Sequence, residues 1–259
     1  MPRRPFALAN WKMAMTLGET WRFFPAFVEA AGDALRRVDV VICPPCTALS
    51  AAAGMLAGAP VALGVQDVAA EEDEAHTGRI SAALAADAGA TWALLGHWEL
   101  RRERGDIDIT VNRKLRRALA AGLRAIVSVG EGRLERGHAS AALARQLPAL
   151  LAGCTAKQVA GLVFMYEPEW TIGAAEPASS DYVAAGCGLV RTWLRETYGD
   201  SAAETVRVFY GGSVRPEAAA DLLASPDVDG LGAGRRGRDP QAFAAIVRHI
   251  AAAKSAGGI

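Results

Sequence analysis

Short apolar runs recur about every 30 residues along this chain, most of them followed by a helical pattern, and this alternation limits the fold more than any other feature. The runs end near Asn10, Cys43, Gln66, Leu95, Val129, Tyr166, Tyr210 and Gly232. Runs so continuously apolar read as strands buried on both faces. Strands joined through helices lie parallel, with right-handed crossovers. Eight such units fill the 259 residues, and no linker or composition shift divides them. The expected fold is therefore α/β: a single (β/α)8 barrel domain over 1–259, eight parallel strands ringed by helices.

Local signals set the helix ends. Apolar residues at helical spacing predict a helix from Thr16 to Ala31, stopped by Gly32. A second, with a cationic outer face, is expected from Asn112 to Ala121, with Gly122 as a left-handed cap. Ser179, Ser180 and Asp181 supply N-cap types for a third, which ends at Tyr198 before Gly199. Pro216 and Pro240 fit first helical turns.

In such barrels the chemistry gathers at the C-terminal ends of the strands. The run Val163-Phe164-Met165-Tyr166 stops at Glu167, and Pro168 pushes that carboxylate out of the helical region. Glu167 is the candidate base, and Trp170 to Ala178 reads as a lid over it. Asn10 and Lys12 alternate with Trp11 after the first strand, so both can face one side. Lys12 offers a fixed positive charge for a phosphate or an oxyanion. His97 follows the fourth strand at the start of a helix, where the positive end of the dipole disfavours an imidazolium. Two glycine-rich loops, Gly211-Gly212-Ser213 and Gly232-Ala233-Gly234-Arg235, follow strands seven and eight. Backbone N–H groups there can be aimed at one phosphate.

A formal net charge of zero with mixed charges argues against a general nucleic-acid or membrane partner. The start Met1-Pro2-Arg3-Arg4-Pro5 lacks the apolar stretch of a signal peptide, and the expected compartment is the cytosol. Four cysteines suit reduced thiols rather than a disulfide scaffold. Cys43-Pro44-Pro45-Cys46 resembles a redox motif, but no second redox feature accompanies it. Glu71-Glu72-Asp73-Glu74 reads as a solvated loop tip, and Arg101-Arg102-Glu103-Arg104 as a solvated or interfacial helix. Trp11, Trp21, Trp92 and Trp193 read as packing residues.

Taken together, Asn10-Trp11-Lys12-Met13, Leu95-Gly96-His97 with Glu99, Val129-Gly130-Glu131, Tyr166-Glu167-Pro168 with Trp170 and Ile172-Gly173, and Tyr210-Gly211-Gly212-Ser213-Val214 resemble the triosephosphate isomerase family from Phe6 to about Ile250. The family is an established example of a glutamate base, a neutral histidine and a closing lid acting together, so the following roles rest on the resemblance. It implies an isomerase of glycolysis or other sugar catabolism that interconverts dihydroxyacetone phosphate and glyceraldehyde 3-phosphate. Catalysis would fall to Asn10, Lys12, His97, Glu99 and Glu167. Phosphate would be held by Lys12 and by backbone groups of Gly173, Ser213, Gly234 and Arg235. Glu131 would accept the Trp170 indole N–H in one lid state. No metal or organic cofactor is implied. A homodimer is expected through the loop around Thr77.

Several residues depart from the family pattern. Trp98 stands where Ser is usual, which adds bulk beside His97, and Leu100 where Arg is usual. Glu176-Pro177-Ala178 replaces Lys-Thr-Ala at the second lid hinge. Arg235 replaces a glycine, Glu74 a glycine and Arg79 a glutamate. These changes resemble sibling isomerases of four-carbon sugar phosphates such as L-erythrulose 1-phosphate, which is the alternative reading. A catalytically idle phosphate-binding barrel is the third.

Overall fold

In the computed structural model, residues 3–255 are described; Met1 and Pro2 of the basic start lie outside them. Eight strands form the frame: β1 (Phe6–Asn10), β2 (Asp39–Cys43), β3 (Val61–Val65), β4 (Trp92–Leu95), β5 (Arg124–Val129), β6 (Val163–Tyr166), β7 (Arg207–Gly211) and β8 (Gly230–Ala233). Each pairs in parallel with the next, and β8 closes on β1 through Ala9 opposite Ala233. The closed barrel is the fold expected from the alternation.

Period-two alternation sorts each strand into two faces. One small cluster contains Phe6, Leu8, Val41, Cys43, Trp92, Leu94, Ile126, Val163, Met165 and Phe209; it fills the barrel interior. Phe6 packs edge-on against Trp92, with ring centres 5.3 Å apart. The intervening residues, Ala7, Ala9, Val40, Ile42, Phe164 and Val208 among them, join the larger core beneath the helices. The inward register of β1 ends at Asn10, and continued one step past the strand that of β6 reaches Glu167 and that of β8 Gly234. The barrel itself therefore aims these residues at one mouth.

The helices follow their capping signals. Leu17–Ala31 starts after Thr16, whose side chain accepts from the Glu19 N–H in a reciprocal capping box. Ser180–Tyr198 is capped by Ser179. Pro240 opens the helix Pro240–Ser255. The helix expected at Asn112 begins earlier, at Asp108. Asn112 is a buried mid-helix residue instead, and its amide donates to the carbonyls of Leu150 and Ala152. Trp21 is also corrected: it is 58% exposed rather than packed. Arg101 is not solvated, because its Nε donates to the Gly96 carbonyl at 2.9 Å and its Nη1 to Asp108 at 2.6 Å. Among the described residues no helix is long and apolar enough to cross a membrane.

Candidate active site

Glu167 leaves β6 directly into the mouth, with its backbone N–H tied to the Val129 carbonyl at 2.8 Å. It is only 5% exposed. Its Oε1 lies 3.2 Å from His97 Nε2. Its Oε2 accepts from the Ser128 hydroxyl at 3.1 Å. Burial acts to raise this carboxyl, but the His97 ring, the Lys12 ammonium and the Ser128 hydroxyl outweigh it and hold the group below the usual glutamate range. Glu167 is therefore a carboxylate, able to take a proton, at neutral pH.

His97 caps the helix Trp98–Arg104, and its Nδ1 accepts the Glu99 N–H at 3.2 Å. A nitrogen that accepts carries no proton, so the ring proton sits on Nε2, the side facing Glu167. The ring is thus placed to donate from Nε2 toward Glu167.

Lys12 has an unusual backbone for a lysine, with φ of 54°. A side chain in this left-handed region costs of order 1–3 kcal/mol and persists only when its surroundings fix it. Here three bonds do so. Asn10 Oδ1 accepts the Lys12 N–H at 3.0 Å. Gln66 Nε2 donates to the Lys12 carbonyl at 2.9 Å and to that of Cys43 at 3.0 Å. The ammonium pairs with Glu99 Oε1 at 2.6 Å. Asn10 thus uses its oxygen to position Lys12, and its amide N–H groups are left for the cavity.

Lys12, Asn10, His97, Glu99 and Glu167 line one cavity of about 570 Å³. Gly173, Ser213, Gly234 and Arg235 line the same cavity. The N–H groups of these four make no hydrogen bond among the described residues. Ser213 has φ of 47°, in the left-handed region, just past the end of β7. Four N–H groups without a partner and an ammonium on one cavity wall are groups of the kind that can hold an anion.

The lid crosses this cavity. Its first part is a 3-10 turn, Glu169–Thr171, where no regular structure had been read. Trp170 Nε1 donates to Glu131 Oε1 at 3.0 Å, the bond expected from the resemblance. Glu131 is fully buried and also accepts from Tyr182 at 2.7 Å and Tyr166 at 2.9 Å. At the far end, the Ala178 N–H donates to the Tyr210 hydroxyl at 3.0 Å. Thr171 packs so closely that a Cβ at Gly212 would come within 2.1 Å of its hydroxyl. The lid is closed.

Sequence reasoning missed Ser128, Gln66 and Tyr182. Ser128 had a signal: it lies two residues past Ile126 on the inward face of β5, opposite Met165. Gln66 and Tyr182 carry no local mark of their partners. The bulk that Trp98 adds beside His97 stays outside the cavity, which Trp98 does not line. Its ring faces outward of the site, toward Gly132 and under Arg101. Cys43 and Cys46 are both free thiols, raised by burial, which gives the redox reading no support.

A barrel alone does not select a chemistry, but this chain is also similar to proteins of known family. The family model described as triosephosphate isomerase matches residues 5–250. A triosephosphate isomerase of Symbiobacterium thermophilum is 42% identical over 255 residues, which cover 98% of this chain and 99% of that one. One from Chloroflexus aurantiacus is 38% identical over 249 residues, covering 95% and 99%. The crystal structure of triosephosphate isomerase from Bartonella henselae superposes with a TM-score of 0.84 at 33% identity, covering 95% of this chain and 98% of that chain. With motif, register and length all in agreement, the chain belongs to the triosephosphate isomerase family.

Proposed function

We propose that this aldose–ketose isomerase interconverts dihydroxyacetone phosphate and glyceraldehyde 3-phosphate through an enediolate, with Glu167 as the base. The observation that carries the reading is the convergence of Glu167, His97 and Lys12 on one cavity that the four N–H groups also line. The substrate phosphate sits on Gly173, Ser213, Gly234 and Arg235 N–H groups, assisted by Lys12. Glu167 removes a proton from the carbon beside the carbonyl and returns it to the neighbouring carbon. The carbonyl becomes a hydroxyl and the hydroxyl a carbonyl, so no external oxidant or reductant is needed. His97 donates from Nε2 to the oxygens as charge develops. Asn10 and Lys12 stabilise that charge, and Glu99 holds the ammonium in place. The closed lid excludes water while the enediolate exists.

Relatives named triosephosphate isomerase over nearly the whole chain favour the three-carbon substrate over the four-carbon alternative. Trp98 lies outside the cavity and so gives no reason for a different sugar. The single barrel domain spans the chain, and its compartment is the cytosol. It pairs as a homodimer through the exposed loop around Thr77, with the fully exposed Met13 beside Lys12 covered by the partner. Kinetics on both substrates test the reading. A kcat/KM in favour of the three-carbon sugar supports it, and a far higher value for the four-carbon sugar overturns it. Activity lost in Glu167→Gln excludes an idle barrel. Sedimentation across a concentration series tests the dimer.

A further inference from the structure

Two arginines at the cavity mouth face the lid. Arg235 Nη2 donates to the Ala174 carbonyl at 2.8 Å. Arg215 Nη2 contacts Glu176 Oε2. The Ser213 hydroxyl lies 2.8 Å from the same Ala174 carbonyl and 2.9 Å from that of Thr171, its one proton shared between them. One lid carbonyl therefore meets donors from two loops, the one after β7 and the one after β8. Those loops carry the N–H groups of Ser213, Gly234 and Arg235, and Gly173, the lid's own member, immediately precedes Ala174.

We propose that Arg215 and Arg235 are positioning residues that latch the C-terminal half of the lid. Both act on substrate through the lid. Taking Ala174 in hand brings the Gly173 N–H into register with those of Ser213, Gly234 and Arg235, so closing the lid and completing the anion site are one event. Pro177 supports this, because the residue before a proline is held extended, and that residue is Glu176. Side-chain exposure is 33% for Arg215 and 64% for Glu176. Such a pair is weak and screened by salt, which suits a latch that must release in every turnover. The bulky cation that replaces a glycine at position 235 reaches to the lid.

This latch rests on the isomerase reading for its purpose, but its test does not. Inorganic phosphate is the probe, and amide hydrogen exchange at 169–178 is the readout, with isomerase kinetics alongside. Phosphate slows lid exchange in the unaltered protein. Arg215→Ala and Arg235→Ala each weaken phosphate binding by roughly three- to tenfold and reduce the protection. The loss in kcat/KM falls mainly on KM, because Glu167 and His97 are untouched. Arg215→Glu is worse than Arg215→Ala, and Arg215→Glu with Glu176→Arg recovers to within about twofold. The latch is overturned if the Arg215→Ala/Arg235→Ala protein keeps unaltered phosphate affinity and lid exchange, or if the exchanged pair is no better than Arg215→Glu. A protein that shows the latch but does not isomerise triose phosphate refutes the isomerase reading alone.

Discussion

The Ser128 hydroxyl donates to Oε2 of Glu167 at 3.1 Å, from the strand next to the one that delivers the base. This bond stabilises the carboxylate. In Ser128→Ala the Glu167 carboxyl rises toward its ordinary value, and the acid limb of kcat/KM moves to higher pH. A hydrogen bond to a charged group contributes about 1.5–3 kcal/mol, so the shift is measurable in a pH–rate profile. An unmoved limb would show that the hydroxyl does not tune the base.

Glu167→Gln keeps the shape and removes the base. kcat should fall by about 10²- to 10⁴-fold while inorganic phosphate still binds. Linkage gives a second signature. The native carboxyl lies below its unfolded value, so the ionised group adds stability above the unfolded value. That part is lost as pH falls through the native one. Urea unfolding should show the advantage of the parent over Glu167→Gln narrowing across that acid window. A gap that widens on acidification would contradict the direction of the shift.

Lys114 is 1% exposed between Asp67 and Asp106, with Nζ–O distances of 2.7 and 2.6 Å. Lys114→Met leaves two carboxylates without their cation and should cost about 3–5 kcal/mol at neutral pH. Burial already raises the Asp67 carboxyl, against the pull of Lys114. A raised carboxyl takes up its proton in the native state first, so the penalty is largest above its native value and eases as pH falls. Thermal unfolding of both proteins at neutral and acid pH measures this.

Glu131 accepts three hydrogen bonds from Trp170, Tyr166 and Tyr182. Glu131→Gln turns one acceptor into a donor facing a donor, and an unmet buried partner costs about 1–3 kcal/mol. Faster amide exchange at 169–171 is the expected outcome, with a lower Tm. Unchanged exchange there would remove Glu131 as the anchor of the lid's first turn.

Much of this site was legible because the barrel repeats one rule. Glu167, Gly234 and Asn10 lie on inward positions at or just past strand ends, and a buried run that stops at a polar residue marks Glu167 and Asn10. His97 was legible as a residue opening a helix. Gln66 was not, because its two carbonyl partners come from Lys12 and Cys43, distant in sequence. The direction of Trp98 and of Arg235 depends on space and acceptors that only the assembled loops supply. The early start at Asp108 escaped because Ile107, at its N-cap, makes no side-chain cap bond.

The lid hangs on unlike supports. Trp170 is fastened to a carboxylate sealed from solvent, whereas Glu176 is held by a partner that water and ions reach. Such a loop does not lift evenly. Rising ionic strength loosens the Glu176 contact before the buried anchors at Trp170 and Ala178, so salt would set how readily a sugar enters or leaves.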